Sequence, residues 1–109
     1  MTKSIFHNVK ISGIKTVIPE NYIDIDDEIN FFDNNPKKLT RAKNMMGYGR
    51  RYLADKNTTV VDMAVDAAEK LLKEMNYDKS NIELLIFVNQ KPDYREPSDA
   101  CIAHGRLNL

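Results

Sequence analysis

Apolar residues recur at Val60, Met63, Ala64, Ala67, Ala68, Leu71, Leu72 and Met75, the three-and-four spacing of one helical face. Asp62, Asp66, Glu69, Lys70, Lys73 and Glu74 fall mostly off that stripe. The pattern predicts a long amphipathic helix that begins at Thr58-Thr59 and ends before the polar run Asn76-Tyr77-Asp78-Lys79-Ser80. Thr59-Val60-Val61-Asp62 loosely matches a capping box, with Asp in place of Glu. Leu84-Leu85-Ile86-Phe87-Val88 shows no alternation, which predicts a strand buried on both faces, as in a parallel sheet covered by helices.

Pro97 followed by Ser98 and Asp99 is a helix-start signal, so a second helix is expected over the last stretch. Val9-Lys10-Ile11-Ser12-Gly13-Ile14 alternates apolar and polar residues, and a first strand is read from about Ile5 to Val17. Gly13 would mark a bulge or a close backbone approach. Ile25, Ile29 and Phe32 sit at helical spacing in an acidic stretch, with Asp24 as N-cap of a short surface helix. Asp33-Asn34-Asn35-Pro36 breaks it, and Lys37 to Met46 can form another turn or two before the loop at Gly47 and Gly49. The order strand, helix, strand, helix predicts a right-handed β-α-β unit in an α/β layer structure, with no internal repeat or linker.

The chain has 109 residues, at most one domain. Sixteen basic and sixteen acidic residues cancel, so no global field draws it to nucleic acid or to an anionic membrane. Its apolar runs fall far below the roughly 20 residues of a membrane span. Met1-Thr2-Lys3-Ser4-Ile5-Phe6-His7 holds no long apolar segment, so no signal peptide is expected. One cysteine cannot form an internal disulfide, which fits a reducing cytosol. A cytoplasmic protein is the expectation.

In an open parallel sheet, ligands bind beyond the carboxyl ends of the strands. Asn89-Gln90-Lys91-Pro92-Asp93-Tyr94-Arg95-Glu96 is therefore the best internal site candidate, and a solvated connector is the plainer alternative. Lys37, Lys38, Arg41, Lys43, Arg50 and Arg51 form a local basic cluster that could meet phosphates, although such clusters are usually solvated. His7 and His104 belong to no metal or base-pair motif and read as structural or surface residues. Cys101 lies three residues after an N-cap serine, where a helix field favours a thiolate, yet the same spacing would turn it inward as a small core residue. Gly47-x-Gly49 lacks both the third glycine and the preceding strand of a dinucleotide fingerprint, and is rejected as one.

Four features recur in order: Gly47-Tyr48-Gly49-Arg50-Arg51, the Thr58-Thr59-Val60 helix with Ala67-Ala68, the Leu84–Val88 run, and Pro97-Ser98 through Leu107-Asn108-Leu109. Together they resemble the N-terminal part of the β-ketoacyl-acyl-carrier-protein synthase III family, thiolase-like condensing enzymes. The resemblance runs from Val9 to Leu109. It implies that residues 1–109 are the N-terminal fragment of a first half-domain in an αβαβα fold, within a dimeric parent protein. It implies an acyltransferase in which a cysteine takes an acyl group from a thioester, usually coenzyme A or a carrier protein. A malonyl carrier protein is then decarboxylated and condensed.

In that family the nucleophile comes roughly a dozen residues after the Leu-Gly-Leu-like triplet seen here as Leu107-Asn108-Leu109. No catalytic residue is therefore assigned in this chain, Cys101 is read as structural, and no cofactor or metal is expected. The fatty-acid members hold the adenine nucleotide with a Trp and an Arg, and those places fall here on Arg41 and Met45. The apolar residue set against the partner subunit's acyl pocket is Glu96 here, and Asn108 replaces a glycine. These three positions, Arg41, Met45 and Glu96, are the candidate substrate contacts, and their residue types imply a specialised member. A non-catalytic module that binds an acyl carrier or a family partner is the alternative.

Overall fold

The computed structural model describes Lys3 and residues 5–109. Its elements are β1 (Tyr22–Asp24), a 3-10 helix (Ile25–Phe32), α1 (Pro36–Met46), β2 (Arg50–Tyr52), α2 (Val60–Glu74), a 3-10 turn (Lys79–Asn81) and α3 (Asp99–Leu107). Met1, Thr2 and Ser4, on which part of the signal-peptide reading rests, lie outside the described residues. The chain divides into two units, Ile18–Thr59 and the segment up to Val17 together with Val60–Leu109.

In the Ile18–Thr59 unit, β1 and β2 pair antiparallel with Ile23 opposite Arg51. Two further backbone bonds extend the contact, Ile25 N to Gly49 O at 2.9 Å and Leu53 N to Asn21 O at 2.8 Å. Tyr22 meets Tyr52 edge to face at 6.0 Å, and the Arg50 guanidinium stands 4.5 Å from the Tyr22 ring centre. Asp24 caps the following helix through Asp26 N, as its position predicts. That helix is 3-10 rather than α, and it breaks at Glu28, whose φ of −103° is not helical. Long 3-10 runs have poor hydrogen-bond geometry, so an interruption of this kind is expected.

Asp33 and Asn34 then adopt left-handed backbone, and Asn35 starts α1 by accepting from Lys37 N and Lys38 N with Pro36 in the first turn. This helix runs 11 residues, longer than the turn or two expected, and Gly47 ends it at φ 67°. Ile25, Leu39 and Ala42 are the buried residues of this unit.

In the other unit, α2 packs on α3 around Val61, Val65, Ala103 and Leu107, with Ala68, Leu85, Phe87, Ile102 and Leu109 against them. The helix matches the predicted span, but the face does not. The predicted stripe starts at Val60, which is exposed, while Val61 and Val65 are the buried pair. One residue is a rotation of about 100°. The apolar band is wide enough to serve two neighbours: Leu71 and Met75 on its later turns approach Gly13, where an added Cβ would lie 2.9 Å from Leu71 Cδ1 and 2.7 Å from Met75 Sδ. Gly13 is thus a close backbone approach, one of the two roles expected of it.

α2 ends with Asn76 in left-handed backbone, Asn76 N bonding to Lys73 O and Tyr77 N to Leu72 O. Asn108 closes α3 in the same way, its N–H reaching Gly105 O while Leu109 N reaches His104 O. The asparagine at 108 therefore supplies the backbone conformation for which glycine is the usual choice.

Two strand expectations need correction. Neither Ile5–Val17 nor Leu84–Val88 joins a hydrogen-bonded ladder among the described residues, whose one ladder is β1 with β2. The Leu84–Val88 run is not buried on both faces. Leu85 and Phe87 pack on the core, whereas Leu84, Ile86 and Val88 are 75%, 73% and 87% exposed. That period of two is strand geometry with helices on one side and nothing on the other. Both-face burial requires neighbouring strands and a second helical layer, which these residues do not contain.

Candidate functional site

The basic cluster resolves once its partners are named. Lys38 pairs with Asp33, Lys43 with Asp26 at 2.5 Å, Arg50 with Asp24 at 3.5 Å, and Arg51 with Glu28. Lys37 and Arg41 keep no acidic partner among the described residues. They stand one turn apart on the exposed side of α1, where Pro36, Thr40, Asn44 and Met45 complete a shallow depression of about 530 Å³. The sequence-predicted contacts Arg41 and Met45 thus share one face of one helix, at i and i+4. Met45 is 70% exposed, an apolar side chain left in solvent beside two cations. The depression has no aromatic residue in its lining.

Asp24 sits on the other side of that charge pattern. Its carboxyl is held below the ordinary value by the Asp26 N–H, with Arg50 and Lys43 adding to the effect. Asp78 is lowered in the same way by Ser80 N at the start of the Lys79–Asn81 turn.

The third predicted contact, Glu96, belongs to the other unit and is exposed at the end of the 89–96 loop. This loop is pinned rather than merely solvated. Asp99, in the first turn of α3 and only 4% exposed, accepts from Asn89 Nδ2 and from Asp93 N at 3.3 Å on each carboxylate oxygen. Asn89 Nδ2 also reaches Lys91 O at 3.1 Å. Asp93 in turn accepts from Val60 N at 3.4 Å and Val61 N at 3.1 Å, capping α2 from across the unit. The sequence marked the loop and the helix start separately. What it did not reveal is that one buried carboxylate joins them, because Asp after Pro-Ser reads simply as a first-turn acid that suits the helix dipole.

Ser98 caps α3 as predicted, its Oγ accepting from Cys101 N. Cys101 departs from the expectation of a buried core residue. It is exposed, with Ser98 Oγ 3.2 Å from its sulfur, and it lines a shallow depression with Glu83, Leu84, Leu85, Ala100 and His104. Ala103 and Leu107 take the inward face of the helix, which turns residue 101 outward. His7 and His104 are exposed, in keeping with a surface reading. Gly47 ends α1 and Gly49 O accepts from Ile25 N, so both glycines of the rejected fingerprint serve local structure. Among the described residues, no group of three or more His, Cys, Asp or Glu is placed to hold a metal, and no helix is long and apolar enough to cross a membrane.

No family model matches the chain. Individual proteins do. It is 45% identical over 108 residues to a Campylobacter jejuni protein provisionally named 3-oxoacyl-[acyl-carrier-protein] synthase 3, an alignment covering 98% of this chain and 31% of that one. It is 32% identical over 101 residues to the β-ketoacyl-[acyl-carrier-protein] synthase III of Acholeplasma laidlawii, covering 93% of this chain and 31% of the relative. The crystal structure of a 3-oxoacyl-(acyl-carrier-protein) synthase from Burkholderia xenovorans superposes with a TM-score of 0.77 at 32% identity, over 88% of this chain and 28% of that one. The chain thus spans about 31% of the length of the curated relatives it matches. In sequence and in its thiolase-like α/β fold, it is homologous along nearly all its length to the N-terminal part of the 3-oxoacyl-acyl-carrier-protein synthase III proteins.

Proposed function

We propose that the protein carrying this chain is an acyltransferase of the 3-oxoacyl-acyl-carrier-protein synthase III type. It joins an acyl thioester to a malonyl carrier protein with loss of carbon dioxide, as a cytoplasmic homodimer. The observation that carries this reading is the continuous match, over 98% of the chain in sequence to a relative named as a synthase 3 and over 88% in fold to a solved synthase. The nucleophilic cysteine is contributed by the remainder of the protein, and residues 1–109 alone are inactive. The exposed row Leu84, Ile86 and Val88 weighs against the alternative, a self-contained binding module, because such a face calls for a cover.

Within that reaction this chain supplies substrate contacts. The Arg41 guanidinium can take a phosphate or carboxylate through two parallel hydrogen bonds, and Met45 offers an adaptable apolar surface. A nucleobase would find no stacking partner on this face, a contact worth about 1–3 kcal/mol per base. Glu96 places a carboxylate where a simple alkyl chain would be poorly served, since an unpaired charge in an apolar pocket is strongly disfavoured. Both features favour a specialised primer or donor.

The test is direct. Full-length protein given a set of acyl thioesters and radiolabelled malonyl carrier protein should release labelled carbon dioxide and form a 3-oxoacyl carrier protein. Failure to form that product with any primer, acetyl through polar short-chain, overturns the assignment.

A further inference from the structure

The polar network at the start of α3 assigns a role to a residue that the proposed reaction does not itself require. We propose that Asp99 is a positioning residue: by holding Asn89 and the Asp93 amide it fixes the 89–96 loop, and with it the stance of Glu96 towards the acyl substrate. The proposal rests on the synthase reading for its last step only.

Three observations carry it. First, Asp99 is the one charged side chain buried among the described residues, at 4% exposure, and a buried carboxylate is costly unless donors satisfy its oxygens. Second, the donors to its carboxylate, the Asn89 Nδ2 amide and the Asp93 backbone N–H, both come from one five-residue stretch of the loop. The charge therefore serves the shape of that stretch. Third, the packing of α2 on α3 stands without it. Val61, Val65, Ala103 and Leu107 form that contact, and Arg106 Nη1 meets Asp62 Oδ1 at 2.6 Å across the same pair of helices.

The link also runs onward. With its N–H on Asp99, Asp93 turns its carboxylate to Val60 N and Val61 N. The loop is thus tied to the first turns of two helices, and the residues after Asp93, up to Glu96, leave from a fixed point. Losing the Asp99 carboxylate would release Asn89 Nδ2 and Asp93 N from α3 at once, leaving the stretch held only by the Asp93 carboxylate at α2 and by its own Asn89–Lys91 contact.

The experiment uses the full-length protein and three variants: Asp99→Asn, Asn89→Asp, and the two together. In Asp99→Asn one carboxylate oxygen becomes an NH2 donor, so Asn89 Nδ2 and Asp93 N must share the single remaining acceptor, although the shape is kept. The double variant restores a donor–acceptor pair with the charge moved to position 89. Two readouts are taken. Trypsin reports loop order at Arg95, the loop's one susceptible bond because Pro92 protects Lys91. Steady-state kinetics with acetyl- and butyryl-coenzyme A as probes report substrate placement.

Cleavage after Arg95 should rise about 10-fold in Asp99→Asn, and KM for the primer should rise about 10-fold with kcat within about 2-fold. The double variant should return both to within about 3-fold of the parent. Unchanged cleavage in Asp99→Asn overturns the proposal, as does increased cleavage with unchanged KM. A loss of kcat and KM together that the double variant does not repair also overturns it, since that is simple misfolding. Inactivity of the parent with every primer would instead sink the synthase reading, and the cleavage pattern and its rescue then decide whether Asp99 holds the loop.

Discussion

At the scale of single residues, backbone conformation explains choices that composition leaves opaque. Asn76 and Asn108 each stand in left-handed backbone at a helix end, a conformation asparagine tolerates better than most residues. Gly13 answers a different need, room for Leu71 and Met75. Gly13→Val should destabilise the fold by about 1–3 kcal/mol through overpacking, and Gly13→Ala by less, because the atoms it meets are the far ends of flexible side chains. Thermal or denaturant melting checks both. The acids that cap turns give a pH signature. The folded-state value of Asp24 lies below its unfolded one, so its stabilisation is complete above the unfolded value and is lost as pH falls through the folded one. Asp24→Asn keeps the cap acceptor but removes the charge, so its stability should fall less steeply on acidification; carboxyl titration by NMR should place Asp24 below an ordinary aspartate. The Asp24 cap was legible in the sequence, whereas the caps at Asp78 and Asp93 were not. The outward turn of Cys101 was not, because a first helical turn presents each side equally until the neighbouring helix is known.

At the scale of elements, legibility followed length. α2 and α3 announce themselves by a long periodic stripe and by Pro-Ser-Asp, and both form where expected. β1 and β2 are three residues each, too short for alternation to register, and they pair across a connection, residues 25–49, that holds the 3-10 helix and α1 and that local patterns cannot bridge. The rotation of the α2 face has the same origin. A helix with an apolar band wide enough for two neighbours offers several equally good stripes, and the partner chooses. Val61 is the most buried residue on the chosen face, so Val61→Ala should cost about 2 kcal/mol in methyl burial and residual cavity. Val60→Ala, on an exposed position next to it, should shift stability by no more than about 0.5 kcal/mol. A larger loss at Val60 than at Val61 would mean that the stripe beginning at Val60 is the one buried.

At the scale of the whole molecule, the candidate contacts carry the specificity argument. If Glu96 stands at the mouth of an acyl pocket, Glu96→Phe should move preference towards simple alkyl primers by about 1–3 kcal/mol, the range a hydrophobic-pocket change supplies. Comparing kcat/KM for acetyl and longer primers measures it, and unchanged ratios would place the side chain in solvent. Arg41, Met45 and Glu96 were singled out by resemblance alone, and the kinetic comparison is what tests them. No local pattern singles out an exposed methionine or a loop glutamate.

The Leu84–Val88 run supplies the sharpest contrast between part and whole. Its sequence predicts burial on both faces, and residues 1–109 bury only the Leu85 and Phe87 side. Under the synthase reading the remainder of the protein covers the other side, so one substitution should give opposite results in two contexts. Ile86→Asp in residues 1–109 changes a side chain that is 73% exposed, so it should alter stability by no more than about 0.5 kcal/mol and should reduce self-association. In the full-length protein the same carboxylate would be buried without a partner, at a cost of several kcal/mol, and soluble yield should collapse. Sedimentation and melting of both forms make the comparison. A benign Ile86→Asp in the full-length protein would show that this face remains in water, and would return the non-catalytic module to first place.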